Sequence, residues 1–279
     1  MLATSIAKPV ARPSAAPAPQ CFAASAASLI GRAHSRVDRN NQDGWAIARS
    51  DDYLIAIVTD GCSSGALSEI GARIGARWLA RQAAQLLDHG TPLSSLAAVL
   101  DSRLTRFLGE LALLCGGRDG FVETVGSQLL FSITAAVITR DRWVALCAGD
   151  GVVLADGVAT IVDAGPGEAP PYPAYRLLRA RDLSAPPLRS CALRVICGGS
   201  TATLQTLAVG SDGCRPLLDS SNAAPLVALG GDAALTRNPS LLQKRLRVVA
   251  REVPLADDTT CVLLQRRGAA AIGNVEVAS

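Results

Sequence analysis

Histidine is almost missing from this chain, and none of its eight cysteines stands in a CxxC spacing. Only His34 and His89 could supplement the thiols, so a zinc site is not expected. Several cysteines lie inside apolar runs, which reads as reduced, buried thiols of a cytoplasmic protein. No stretch reaches the ~18 uninterrupted apolar residues of a membrane span. Lys8 and Arg12 stand among Ala and Pro without a continuous apolar segment, so the N-terminus does not read as a secretory signal. There is no dense Lys/Arg stripe. The net charge is only +3 and the basic residues are scattered, which argues against a nucleic-acid binder. Aromatics make up 4%, so Ala, Leu and Val must build the interior.

What is present suffices for a large core. The 279 residues are 49% apolar and 18% charged, the balance of a globular chain with room for one large domain or two small ones. Residues 1–20, rich in Ala, Pro and Ser, read as a disordered leader, 21–267 as one continuous domain, and 268–279 as a flexible tail. Within the domain, the apolar runs Trp45–Arg49 and Tyr53–Thr59 predict a hairpin around Ser50-Asp51-Asp52. Ser68 to Leu87 predicts a helix that Ser68 can cap, with Ile70, Ile74 and Trp78 at helical spacing. A second helix is expected from about Leu93 to Cys115, buried through Leu100, Leu104, Phe107, Leu108 and Leu111. Leu129–Ile138 and Trp143–Cys147 predict a second hairpin, continued by Val152–Leu154. The Pro-rich run Gly165–Pro173 reads as a loop, and Leu193–Cys197 and Leu204–Val209 as strands around Gly198-Gly199. A helix from Ser240 to about Arg251 and a closing strand Cys261–Gln265 complete the order. That order predicts an α+β fold, two packed antiparallel sheets with helices outside.

Four aspartates stand in short polar contexts beside these runs: Asn41-Gln42-Asp43, Thr59-Asp60-Gly61, Ser211-Asp212-Gly213 and Ala256-Asp257-Asp258-Thr259-Thr260. Carboxylates distant in sequence but placed at strand ends can converge on one point. They repel one another there unless a cation sits between them. The pattern points to a hard divalent cation and hydrolytic chemistry. Asp-Gly is also a common hairpin turn, and Asp119-Gly120 and Asp156-Gly157 read that way. Asp60 and Asp212 stand apart because each ends an apolar strand.

Taken in order, Gly31-Arg32-Ala33-His34, Asn41-Gln42-Asp43, Asp60-Gly61, Ser68-Glu69-Ile70-Gly71-Ala72, Gly149-Asp150-Gly151, Val209-Gly210-Ser211-Asp212-Gly213 and Asp257-Asp258-Thr259-Thr260 resemble the metal-dependent protein phosphatases of the PP2C type, the PPM family, in a bacterial variant. The likeness covers roughly Ser28 to Gln265. It implies two Mn²⁺ or Mg²⁺ ions bridged by a water or hydroxide. Asp60 would bridge both, the Gly61 carbonyl would bind one, Asp212 and Asp257 would complete the other, Asp43 would hold metal-bound waters, and Asp150 would serve a third, weaker metal. Asp258 is the alternative to Asp257, which better fits the family's spacing to Thr260. The implied activity is hydrolysis of phosphoserine or phosphothreonine in proteins, with a Ser/Thr kinase or its target as partner and neither nucleic acid nor membrane.

The chain also departs from that pattern. Where many members carry a phosphate-anchoring Arg, this one has Asp38, flanked by Arg36 and Arg39 as substitutes. The His that follows Asp-Gly in eukaryotic members is replaced by Cys62-Ser63-Ser64, which leaves His34 or a metal-bound water to protonate the leaving group. Cys62 is not a phosphatase nucleophile, because the Arg of a Cys-x5-Arg loop is Ser68 here. Arg73, Arg77 and Arg81 read as a solvated helix face. The competing readings are a non-catalytic regulatory or binding module of the same fold and a hydrolase of small phosphate esters.

Overall fold

Two short polar turns close the strongest strands of the molecule. Strand β2 (Gly44–Arg49) turns through Ser50-Asp51-Asp52 into β3 (Tyr53–Gly61). Ser50 Oγ fixes that corner by accepting the backbone N–H groups of Asp52 and Tyr53. β3 pairs with β4 (Phe131–Thr139), and β4 pairs with β5 (Arg142–Ala148). The computed structural model describes residues 18–164, 170–179, 191–219 and 224–268. The leader's first seventeen residues, 165–169 of the Pro-rich run and the tail beyond Gly268 lie outside them.

The remaining strands are β1 (Phe22–Leu29), β6 (Gly151–Ala155), β7 (Val158–Val162), β8 (Arg194–Ser200), β9 (Thr206–Gly210) and β10 (Thr259–Arg266). They complete two antiparallel five-stranded sheets, ordered β1-β10-β9-β6-β7 and β2-β3-β4-β5-β8. The helices are α1 (Arg32–Ser35), α2 (Ser68–Asp88), α3 (Leu93–Gly116), α4 (Phe121–Gln128), α5 (Tyr175–Arg179), α6 (Pro225–Gly230), α7 (Ala233–Arg237) and α8 (Leu241–Glu252). None of the described helices is long and apolar enough to cross a membrane.

The alternation of β3 explains the layering. Leu54, Ala56 and Val58 face the other sheet, where they meet Val153, Val209 and Val262. Ile55 and Ile57 point the other way, into a cluster with Leu79 of α2 and Leu100, Leu104 and Leu108 of α3. On the far side, Val152, Leu154, Ala208 and Leu263 lie under Leu242 and Leu246 of α8. Each of the Leu, Ile and Val side chains contributes roughly 1.5–3 kcal/mol when fully buried. The result is the expected α+β sandwich, helices on both outer faces.

Five local expectations change. Leu129 and Leu130 follow α4 instead of opening β4. Gly198 and Gly199 lie inside β8 opposite Val144 and Trp143, where a Cβ on Gly198 would stand 2.7 Å from the Trp143 carbonyl oxygen. The buried face of α2 runs through Ala72, Ala76, Leu79 and Ala83, while Ile70 and Ile74 are exposed. Ser68 is the first helical residue and makes no cap bond. Ala18–Cys21, at the end of the expected leader, forms a 3₁₀ turn in which Gln20 Nε2 donates to Asp51 Oδ1 at 2.7 Å.

Small residues bring α2 close to its sheet. A Cβ on Gly75 would sit 2.5 Å from the Phe131 ring, whereas one on Gly126 of α4 would meet nothing within 4 Å. Gly75→Ala is therefore expected to cost about 1–3 kcal/mol, and Gly126→Ala to gain about 0.5–1 kcal/mol by easing the helix entropy. Urea denaturation of the two variants checks the opposite signs.

Candidate metal centre

Strand register gathers the aspartates at one pole of the sandwich. Asp43 immediately precedes β2, Asp60 is the penultimate residue of β3, Asp150 precedes β6, and Asp257-Asp258 precede β10. Asp212 opens a 3₁₀ helix, Asp212–Leu218, directly after β9. The pairings Gly44 with Thr59, Gly210 with Cys261 and Val152 with Gly210 bring these ends side by side. Asp60, Asp150, Asp212 and Asp257 then line one cleft of about 550 Å³, together with Gly61, Tyr172, Tyr175 and Arg215. Asp43 lies beside this wall, buried, with Ser211 Oγ donating to its Oδ2 at 3.0 Å.

The carboxylates disturb one another. Burial, and then the charges of Asp43 and Asp212, hold Asp60 well above the ordinary carboxyl range. Burial pushes Asp43 up to about 7, against the hydrogen bond of Thr260. Asp150 rises to about 6 through burial and the charge of Asp212. Burial also raises Asp257. Among the described residues, Asp43 Oδ1 and Asp212 Oδ1 are buried without a hydrogen-bond partner. Unpartnered oxygens in an all-oxygen cluster suit a hard divalent cation, which takes oxygen ligands. Gly61 completes the wall. A Cβ there would stand 2.7 Å from the Gln42 carbonyl oxygen, so no larger residue fits.

His34, Asp257 and Asp258 also offer ligand atoms within 4.8 Å of one another. Both oxygens of Asp258 are engaged, however. Oδ1 accepts Gly31 N at 2.7 Å, and Oδ2 meets His34 Nδ1 at 2.8 Å and Gln42 N at 2.6 Å. Asp258 is a clamp between the start of β10 and the segment from Gly31 to Gln42, whereas Asp257 opens on the cleft.

The remaining expected site residues stand elsewhere. His34 belongs to α1, not to a strand, and its burial against Asp258 keeps it off the cleft wall. Arg36 is exposed outside the cleft. Arg39 spends its guanidinium on backbone carbonyls, Nη1 donating to Ser63 O and Nη2 to Gly65 O, the latter at 3.0 Å. It thereby braces the loop after Gly61. Three cleft residues were not anticipated. Tyr172 and Tyr175 pack at 5.5 Å, and α5 beside them is tied to α3 by a two-pronged pair from Arg176 to Asp101 at 2.6 and 2.7 Å. Arg215 follows Asp212 by one turn of 3₁₀ helix, a spacing that is legible once that helix is known.

Comparison with known proteins matches residues 30–247 to the family model described as protein phosphatase 2C. That match ends before Asp257 and Asp258. A bacterial serine phosphatase structure aligns over 88% of this chain and 98% of its own, with 12% identity and a TM-score of 0.55. The serine/threonine phosphatase Stp1 of Staphylococcus aureus aligns over 88% and 95%, with 12% identity and a TM-score of 0.52. The S. agalactiae serine/threonine phosphatase aligns over 88% and 99%, with 17% identity and a TM-score of 0.52. At these identities the structural likeness is one of fold. No curated protein matches the chain.

The raised carboxyls make stability depend on pH. A carboxyl whose folded pKa lies above its unfolded value, near 3.9, contributes stability below that value and loses it as pH rises through the folded pKa. For Asp150 and Asp43 those folded values are about 6 and about 7. The metal-free protein is expected to melt at a lower temperature at pH 8 than at pH 5, and Mg²⁺ or Mn²⁺ to recover the loss. Asp60→Asn, which removes the central charge, should flatten the slope. Thermal denaturation from pH 5 to 8 measures both effects.

Proposed function

The chain belongs to the protein phosphatase 2C family, and on that premise we propose that it is a metal-dependent serine/threonine protein phosphatase. One observation carries the reading: four aspartates from separate strand ends share a single cleft, two of the pole's buried carboxylate oxygens being unpartnered. Asp60, Asp212, Asp257 and the Gly61 carbonyl would hold two divalent ions, with Asp43 behind them and Asp150 serving a third. Bound Mn²⁺ or Mg²⁺ would supply a water of lowered pKa and neutralise charge on the phosphoryl oxygens.

The chain's own groups set that stage. Ser211 orients Asp43, and the Asp258 clamp fixes the segment that leads into Asp43. Arg39 and Gln42 hold the loop after Gly61 through the Gly65 carbonyl oxygen. Tyr172 and Tyr175 wall the cleft. Cys62 also lines it, its thiol 3.1 Å from Ser64 Oγ, with no Cys-x5-Arg loop around it. The substrate is a phosphorylated protein, a kinase or a kinase target. The free thiols of Cys62, Cys147, Cys214 and Cys261 fit a cytoplasmic setting. The displaced positions of Arg36 and Arg39 are what favours the competing regulatory module.

Hydrolysis of a phosphothreonine peptide with Mn²⁺, with and without EDTA, separates the two. Turnover is expected with metal and none with chelator, and Asp60→Asn or Asp212→Asn should abolish it while the melting transition persists. Metal binding without turnover would establish the regulatory module. His34 acts through Asp258, so His34→Ala is expected to lower kcat by roughly ten- to a hundred-fold. The loss should be equal on the peptide and on p-nitrophenyl phosphate. A loss confined to the peptide would return His34 to the role of general acid.

A further inference from the structure

We propose that Arg215 holds the phosphoryl group of the substrate, an inference that rests on the phosphatase reading of the cleft. A phosphate monoester entering a wall of carboxylates needs a cationic partner, and a guanidinium fork matches phosphate oxygens two at a time. Among the described residues lining the cleft, Arg215 is the basic one. Arg36 is outside, and Arg39 is occupied with the Ser63 and Gly65 carbonyls.

The placement of Arg215 follows from its helix. Asp212 and Arg215 are three residues apart in the 3₁₀ helix Asp212–Leu218, where positions i and i+3 eclipse. The arginine thus rises on the side of the helix that carries Asp212. Without a restraint it would fold onto the neighbouring carboxylates. The end of β7 supplies that restraint: Nη1 pairs with Asp163 Oδ1 at 3.0 Å and Nη2 donates to Val162 O at 3.3 Å. Asp163 is itself a cleft residue, and its side chain is 75% exposed. A pair so open to water contributes little stability, and its effect is to aim the fork. An arginine carries five N–H donors. These contacts use only part of that capacity, and Nε has no partner among the described residues. Nε is buried, so what the guanidinium has left for an anion is the second N–H of Nη1 and of Nη2, beyond those given to Asp163 and Val162.

The test uses the full chain with saturating Mn²⁺. Arg215→Ala is expected to raise both KM for a phosphothreonine peptide and Ki for inorganic phosphate roughly ten- to a hundred-fold, the range of a lost charge-assisted contact, with a smaller change in kcat. Arg215→Lys should recover part of the loss, since it restores the charge but not the fork. Asp163→Asn should raise KM by a smaller factor. Melting curves identify any variant that fails to fold, and the conservative Lys variant then carries the test. Unchanged KM and Ki in Arg215→Ala would overturn the inference. So would a rise that appears in Arg36→Ala or Arg39→Ala instead. Calorimetry of inorganic phosphate binding keeps the two readings apart. A wild type without turnover whose phosphate affinity still depends on Arg215 would sink the phosphatase reading alone. A wild type with neither turnover nor phosphate binding would sink both.

Discussion

Repulsion among carboxylates is the constraint on which the rest of the structure depends. Asp43 is buried and Asp60 half-buried beside it and beside Asp212, and Asp43 and Asp60 are both pushed toward their neutral forms. A cluster of that kind does not assemble for its own sake. It is held because the aspartates sit at the ends of strands, and β3, β6, β9 and β10 among them are buried on both faces. Shifting one strand by one residue would turn its whole apolar set to the wrong side. The aspartates are therefore placed by the register of the core, and the core offsets the electrostatic cost.

A division of labour between adjacent residues follows from the same geometry. The chain bends at Asp257, just before β10, and the two neighbouring carboxylates part there. Asp257 opens on the cleft, while Asp258 turns inward to Gly31, His34 and Gln42. Asp258 is consumed in holding the chain, and on the proposed reading its neighbour would be the one left for a cation. Arg39 shows the same economy: a guanidinium that could have met phosphate is committed to the loop that carries Gly61 toward the cleft.

Much of this was readable from sequence, and the failures are physical. β3 and β4 are continuous apolar runs, and the aspartates at strand ends follow from where such runs stop. β1 escaped because FAASAASL has almost no apolar alternation. Its burial comes from pairing with β10 along its full length. Large side chains mislead on the face of α2, because it is Ala72, Gly75 and Ala76 that let the helix approach the sheet, while Gly71 meets the end of α4 at Gln128 and Leu129. His34 reads from sequence as a candidate acid, since its partner Asp258 lies 224 positions away. Arg215 went unread because only a 3₁₀ turn places it over Asp212.

Net charge is a poor guide to such a site. The chain is formally +3, yet its cleft gathers Asp60, Asp150, Asp163, Asp212 and Asp257 around one arginine. Low-dielectric walls focus a field of that kind, so the local sign prevails over the total. A cleft this acidic attracts cations and repels a phosphate monoester. On the phosphatase reading, bound cations would reverse the field that the phosphate meets. Arg215 cannot replace them, one positive charge standing against several negative ones and partly shared with Asp163. A guanidinium fork can do what a point charge cannot, which is to define an orientation. On the proposed reading, neutralisation would fall to the cations and orientation to Arg215, and its brace on Asp163 and the Val162 carbonyl is what an orienting role requires.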